Sequence, residues 1–482
     1  MNRNADVSEI SFAEISKSIA EPVKDGIDSL LRKELEKNHQ KIIVLDDDPT
    51  GVQTVHDVSV YTRWDTESIE AGFAESNNLF YILTNSRSLS ADETERLHRS
   101  IAETILSVSE KTKKDFLLIS RSDSTLRGHY PLETETLRNT IERHTGQKFD
   151  GEILCFFFKE GGRFTVDNIH YVQYGDTLIP AGKTEFASDK TFGYTSSDLR
   201  DYIEEKTSGR CKAGDTVSIT LEDLRAHNFD KIESQLMSVH DFQKVIVNAI
   251  DATDVKVFCI ALYRASAKGK KFIFRSAAAL VKEMGGISER SLLTCEEMNV
   301  KKTASGGLVI IGSHTKKTTE QLNALLDTGT VTAIPFDSDL VLQKGLLEKE
   351  IERVTKEAER LIREGKTAVV FTNRKLLTVA GDTKEAALQR SVEISYALQS
   401  IVSHLNVEPA FIIAKGGITS SDIGTKALGV RRATVMGQLC PGIPVWQLGR
   451  EAKFPGIPYV IFPGNVGTLD TLKEACEKLL QK

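Results

Sequence analysis

Long apolar runs are missing from this chain of 482 residues, and none approaches the ~20 residues that a membrane-crossing helix needs, so no membrane partner is expected. Also missing is any Cys-x-x-Cys spacing. The six cysteines, Cys155, Cys211, Cys259, Cys295, Cys440 and Cys476, are scattered, several within apolar runs such as Ile153-Leu154-Cys155-Phe156, which reads as reduced, buried thiols. Excess charge is small. A net charge of −6 supplies no basic field for nucleic acid and no strong acidic tail, so nucleic acid is not an expected partner. The first residues carry Asn, Asp, Ser and Glu without the apolar core of a signal peptide, which makes a cytoplasmic location the expectation. Internal repeats and low-complexity segments are absent.

What is present is ordinary globular material, 40% apolar and 27% charged, long enough for two domains or more. Apolar strand runs alternate with helical stretches such as Asp92 to Val108, the pattern of α/β domains with mostly parallel sheets. Residues 1–38 read as a polar N-terminal helical arm with apolar beats at Ile27, Leu30, Leu31 and Leu35. Residues 39–290 read as a first α/β domain. Gly285-Gly286 and the polar stretch 301–307 mark a boundary, and 305–482 read as a second α/β domain opened by the strand Leu308 to Ile311. The charged stretch Glu348 to Glu364 has apolar residues at Ile351, Val354, Ala358 and Leu361, an amphipathic surface helix.

The run Ile42-Ile43-Val44-Leu45-Asp46-Asp47-Asp48-Pro49-Thr50-Gly51 joins a buried parallel strand to three carboxylates and a turn. Ligands of open α/β sheets bind beyond the carboxyl ends of strands, so polar chemistry belongs here. Three adjacent carboxylates repel one another and are most easily tolerated around a cation or a donor-rich ligand. The plain alternative is a solvated acidic turn. Past the strand Asp115 to Ser120 lies Arg121-Ser122-Asp123-Ser124-Thr125-Leu126-Arg127-Gly128-His129, where two guanidinium groups suit a carboxylate or phosphate, and Asp123 with the hydroxyls suits a polyol. A further strand runs into Lys159-Glu160-Gly161-Gly162-Arg163.

In the second domain, Lys415-Gly416-Gly417-Ile418-Thr419-Ser420-Ser421-Asp422 follows a strand ending at Ala414. Its glycines would let backbone amides converge on an anion, with a helix starting near Ser421 adding its positive end. An ordinary glycine turn capped by Ser421 or Asp422 is the competing reading. Gly312-Ser313-His314-Thr315 and Phe462-Pro463-Gly464-Asn465-Val466-Gly467 also follow apolar strands, and the three loops would converge on one ligand. Met436 to Pro444, with Gly437 among them, offers apolar walls for a purine, although Met and Leu are more often core.

A competing constellation uses the same opening run. Asp46-x-Asp48-x-Thr50 after a strand fits the nucleophile motif of haloacid-dehalogenase-type phosphatases, with Thr84 as their second motif and Asp251 or Asp254 as a later acidic one. Asp46 would then carry a phosphoryl group and Asp48 would act as acid and base. That reading leaves the second domain without a role.

Taken together, these motifs resemble the four-carbon acid sugar kinases, from about residue 40 onward. The resemblance rests on Asp47 to Gly51, Asp123 to Gly128, Thr184 to Ala187, Phe192 to Tyr194, Phe274 to Ala278, Gly312-Ser313, Gly416 to Ser420, Pro441 to Pro444 and Pro463 to Gly467. It implies two α/β domains with mostly parallel sheets facing a central cleft, the first holding a small sugar acid and the second ATP with Mg²⁺. ATP contacts are implied at Ser313, Gly417, Ile418, Thr419, Ser420 and Gly464, with Gly437 added from the purine wall. On the acid side Asp47, Thr50, Gly51, Arg121, Ser124, Arg127, Glu160 and Arg163 bind substrate, Asp48 and Asp123 are the candidate catalytic carboxylates, and no protein metal site is expected. A homodimer is compatible with this reading, and a non-catalytic nucleotide or sugar-acid sensor is the third alternative. The family's usual Gly-Gly-Glu-Thr is Gly417-Ile418-Thr419 here, its Glu-Ala-Gly-Arg is Glu160-Gly161-Gly162-Arg163, and Arg121 stands where many relatives have Lys, which leaves the acid itself open, other 3-oxo or branched acids included.

Overall fold

The apolar run that opens the chemistry forms the strand Lys41–Asp46, and every residue of it is buried in the computed structural model. Burial on both faces explains why Ile42 to Leu45 are continuously apolar rather than alternating. The structure describes residues 8–298, 300, 304–343, 345–375, 377–379, 381–464 and 466–480, without the side chains of 384, 385 and 388. The linker residues 301–303 and Asn465 of the third loop lie outside the described residues.

The chain divides into two compact units, residues 1–51 with 63–289 and residues 52–62 with 290–482. The first expected α/β segment is therefore interrupted. Its strand Val58–Tyr61 pairs antiparallel with Arg432–Cys440 of the second unit, a pairing between distant positions that no local pattern announces. The N-terminal arm is not purely helical either. Ile10–Ser11 adds an antiparallel strand to Thr177–Pro180, and the helix Ile27–Lys37 buries Ile27 and Leu31.

The main sheet of the first unit is wholly parallel, in the order Val217–Ile219, Gln243–Val247, Gly151–Cys155, Phe272–Ser276, Phe116–Arg121, Lys41–Asp46, Leu79–Leu83. From Lys41–Asp46 the chain next builds Leu79–Leu83 on one side and then Phe116–Arg121 on the other. That reversal is a topological switch point, where outgoing loops part and leave a crevice. A small antiparallel sheet of Ile10–Ser11, Thr177–Pro180, Ile169–Tyr174 and Arg163–Val166 completes this unit.

The second unit repeats the logic. Its parallel strands run Val331–Phe336, Thr367–Thr372, Leu308–Ile311, Ile412–Lys415, Pro458–Phe462, and Ile443–Leu448, Arg432–Cys440 and Val58–Tyr61 extend them antiparallel. Here the switch point lies between Leu308–Ile311 and Ile412–Lys415, below the loops at Gly312 and Gly416. The helix Leu346–Arg363 buries Ile351, Val354, Ala358 and Leu361 as its sequence requires. Cys211 and Cys295 are half-buried and the other four cysteines are buried. No described helix is long and apolar enough to cross a membrane.

Candidate functional site

At the switch point of the first unit, Asp46 ends its strand level with Leu83 and Arg121 of the neighbouring strands. The cation expected among the three carboxylates is supplied by the chain itself. Arg87, on the turn after Leu79–Leu83, donates from Nη2 to Asp47 Oδ1 at 2.7 Å and from Nε to Asp47 Oδ2 at 3.1 Å. Its Nη1 lies 3.7 Å from both Asp48 Oδ2 and Asp123 Oδ1. Sequence reading passed over Arg87, although Asn85-Ser86-Arg87-Ser88 carries the same signal as the other loops, a polar run directly after an apolar strand.

The carboxylates sit at two depths. Asp46 and Asp47 side chains are 2% exposed, whereas Asp48, Asp123, Arg87 and Arg127 are 17, 12, 19 and 23% exposed, so the second group can touch a ligand. Asp46 packs where a side chain at residue 51 would stand, which makes Gly51 a steric requirement. Burial pushes the Asp46 carboxyl well above the usual range; Arg121, 3.5 Å away, opposes this, and Asp47 and Asp48 add to it. Arg121 is thus a partner of Asp46, not a side chain at the rim. Burial also raises Asp47, against the pull of Arg87. Asp48 Oδ1 accepts from the Thr50 amide at 2.8 Å, which shapes the turn.

Asp123 is the opposite case. Burial alone would raise its carboxyl, but Arg127 and Arg87, with hydrogen bonds from Arg127 Nε at 2.7 Å and from the Thr125 hydroxyl, hold it well below the ordinary range. Arg127 also lies 3.7 Å from Asp189 and over the Phe186 ring, and Arg163 faces the same ring. Arg163 donates to the Gly161 carbonyl, its Nε is buried without a hydrogen bond, and it has no ion-pair partner among the described residues. Beneath this layer Arg275 pairs with Glu133 and donates to the Arg127 carbonyl at 3.1 Å. Burial would raise the Glu133 carboxyl, but Arg275 and His98 bring it down to about 2. Gly128, at φ +117°, keeps its α-carbon clear of Arg275. Ser124 contributes a carbonyl that accepts from His170, and Glu160 is exposed on the turn Lys159–Gly161.

The dehalogenase-type roles do not match these positions. Asp46 is buried against Gly51, and Thr84 donates its hydroxyl to the Asp46 carbonyl rather than to a ligand. Asp251 and Asp254 form the capping box of the helix Ala252–Ala267, and Asp254 also binds Arg225.

At the second switch point the three loops meet. Thr318 Oγ1 lies 3.0 Å from both Ser313 Oγ and the Gly464 carbonyl, and a Cβ on Gly464 would stand 3.1 Å from Ser313 Oγ. A Cβ on Gly312 would collide with Thr419 Oγ1, and one on Gly416, at φ +122°, would press on Thr419 and Ser313. The helix starts at Gly417 rather than near Ser421, and no side chain caps it. Ser421 and Asp422 are therefore interior residues, and the first amides of the helix remain available to an anion. Ser420 builds the turn: its amide donates to the Gly416 carbonyl at 2.8 Å, and its hydroxyl lies 2.8 and 2.7 Å from the Ala414 and Gly416 carbonyls.

Two cations stand here, Arg374, which the sequence reading passed over, and Lys415, which opens the candidate run without an assigned role. Arg374 donates to the Ser313 carbonyl while its Nη1 is buried without a hydrogen bond. Lys415, fully buried, donates to the Pro463 carbonyl at 3.1 Å and lies over the Phe462 ring; burial, with Lys317 and Arg374, lowers it to about 7. An uncapped helix start, a cradle that side chains would fill and an orphaned guanidinium NH together fit a polyphosphate. The expected purine wall does not fit its task, because Met436, Leu439, Cys440 and Ile443 belong to the buried core. Gly437 lies in the strand, where a Cβ would meet Arg290 and Leu293. Among the described residues no group of three or more His, Cys, Asp or Glu side chains could hold a metal ion.

The fold is similar to that of a Haemophilus influenzae protein of the DUF1537 family, with a TM-score of 0.58 and 16% identity over 91% of this chain and 100% of that one. It is similar also to a Salmonella typhimurium LT2 protein described provisionally as a tRNA synthase, with a TM-score of 0.62 and 15% identity over 90% and 98% of the two chains. No curated protein matches the chain. Residues 42–284 match the family model described as a sugar-binding N-terminal domain, and residues 308–472 match that of a nucleotide-binding C-terminal domain. The chain belongs to the family built from these two domains.

Proposed function

We propose that the protein is an ATP-dependent kinase acting on a hydroxyl of a small sugar acid, with a four-carbon or related 3-oxo or branched backbone. The observation that carries this reading is the pairing, on one chain, of a rim of arginines and carboxylates at one switch point with a glycine-lined anion cradle at the other. Bound ATP supplies the γ-phosphoryl group, which leaves ADP and forms a phosphoester with the acid's hydroxyl oxygen. Mg²⁺ enters with the nucleotide.

Arg163, stacked on Phe186 and lacking an ion-pair partner among the described residues, takes the acid's carboxylate together with Arg127. Asp123, held ionised by Arg127 and Arg87, is a weak base and a strong acceptor, so it orients a sugar hydroxyl. Asp48, at the rim and fixed by the Thr50 amide, accepts the proton of the reacting hydroxyl. The amides of Gly417 and Ile418, with Thr419, Ser313, Gly464 and Arg374, hold the phosphates. Phosphoryl transfer depends mainly on positioning and charge neutralisation, which suits a site with more fixed donors than reactive groups.

The test is ADP release by the purified chain with ATP, Mg²⁺ and a panel of four-carbon and 3-oxo acids. Acid-dependent ADP release is expected with at least one of them. Ligand-dependent thermal stabilisation without turnover on any acid would replace the kinase by a sensor. Phosphatase activity without ATP, abolished by Asp46→Asn, would replace it by the dehalogenase-type reading.

A further inference from the structure

The helix Ile27–Lys37, which the sequence marks only as part of an arm, forms one wall of a cavity of about 310 Å³. Leu31 and Leu35 come from that helix, and Ile287 lines the same cavity from the turn after the helix Ala278–Gly285. Gly286 makes this close approach possible. It ends the second helix at φ +66°, its amide donating to the Glu283 carbonyl and the Ile287 amide to the Lys282 carbonyl, and a Cβ there would stand 2.8 Å from Leu35 Cδ1. Gly285 packs on Leu79, the first residue of the strand Leu79–Leu83, whereas Asp46 is level with Leu83. This turn therefore lies at the opposite end of the sheet from the rim carboxylates.

Glu283 lines the cavity and is 3% exposed, yet its carboxylate makes no hydrogen bond and no ion pair among the described residues. The cations around it are committed elsewhere: Lys256 donates to Asp28 Oδ1 at 2.7 Å, and Lys282 pairs with Glu289. Glu283 also stands in the last turn of its helix, where the unpaired carbonyls make the surroundings negative. Burial raises its carboxyl to about 7, against the pull of Lys256 and Lys282, and Glu289 and Asp28 add to the rise. A buried carboxylate without donors is relieved by a cation that brings its own.

We propose that this cavity binds a small molecule through a protonated primary amine, which donates to Glu283 while a short apolar body covers Leu31, Leu35 and Ile287. A metal ion does not fit, because among the described residues no group of three or more His, Cys, Asp or Glu side chains could hold one, and the space is that of an organic body. Simple amines and amino acids share this head group. Arg32, exposed in the lining and without a carboxylate partner among the described residues, separates the two sources, since only an amino acid brings a carboxylate to it.

Isothermal titration of the full chain with isopentylamine, its neutral counterpart isopentyl alcohol, and leucine tests this. Isopentylamine is expected to bind at least about tenfold more tightly than the alcohol, since only the amine meets the carboxylate. Glu283→Gln keeps the shape of the side chain and should abolish that preference. From pH 6 to 8 the amine stays protonated while Glu283 loses its proton near 7, so amine affinity should rise about tenfold, and it should stay flat in Glu283→Gln. Cys259, pushed well up by burial and close to Glu283, stays neutral over this range. Leucine binding more tightly than isopentylamine, with the difference removed by Arg32→Ala, assigns the ligand to the amino acids; the reverse order assigns it to the simple amines. Equal binding of amine and alcohol, an unchanged preference in Glu283→Gln, or no binding of the amine at about 10 mM overturns the site.

Discussion

Both carboxylate oxygens of Asp47 are engaged by one guanidinium, that of Arg87, whose remaining nitrogen points between Asp48 and Asp123. One arginine therefore neutralises a carboxylate below the rim and spaces two at it. Arg87→Met should leave Asp47 buried without a partner and cost about 3 kcal/mol of stability. Acid-dependent ADP release should fall by at least about a hundredfold, because the rim carboxylates lose their spacing. Arg87→Lys should not restore it, since an ammonium cannot bridge three carboxylates as a planar fork does. Chemical denaturation and steady-state turnover check both statements.

Asp46 and Asp48 are two residues apart and should behave differently on substitution. Asp46 is buried with its carboxyl pushed up, so an amide mimics its protonated form, and Asp46→Asn should change turnover by less than about tenfold. Asp48→Asn removes the proposed proton acceptor and should cost about 10² to 10⁴ in kcat. The two variants assayed side by side decide the matter, and the reverse order would favour Asp46 as nucleophile.

Gly51→Ala places a methyl group inside the space of the Asp46 carboxylate. The displaced carboxylate or a shifted turn should cost about 1–3 kcal/mol, read as a lower denaturation midpoint at unchanged slope. Turnover should fall with it, because the same turn sets Asp48.

His170 links the site to acid stability. Its Nε2 donates to the Ser124 carbonyl at 2.8 Å, so Nδ1 is the acceptor for the Thr165 hydroxyl at 3.0 Å and the ring is neutral. Burial lowers it from 6.5 to about 4. Between those values the unfolded chain binds a proton that the folded chain does not, so stability is lost as pH falls from 6.5 to 4. The loss should reach about 3 kcal/mol at full effect. His170→Gln should flatten this part of the stability profile measured by urea denaturation from pH 4 to 8.

Much of the site was legible because its signals are local. An apolar strand that stops at polar residues marks its own carboxyl end, and that pattern located Asp46 to Gly51, Arg121 to Gly128, Gly312-Ser313 and Gly416 to Ser420. Arg374 and Arg275 were not legible, since an arginine near a strand end shows its partner only after folding. The purine wall was misplaced for the same reason: an apolar run such as Met436 to Ile443 is more often core but can also be a ligand wall, and only packing distinguishes them.

The sequence by itself determined the α/β class, the strands and the polar loops, because burial on both faces demands continuous apolar runs and the turns after them demand glycine, hydroxyls and charge. Tertiary structure alone decided the rest. Sheet order set the switch points, and thereby which loops face a common crevice. Depth separated Asp46 and Asp47, which are enclosed, from Asp48 and Asp123, which can meet a ligand, and folding put Arg87 among them. Distance between chain-remote residues fixes those relationships, and no spacing along the chain encodes it.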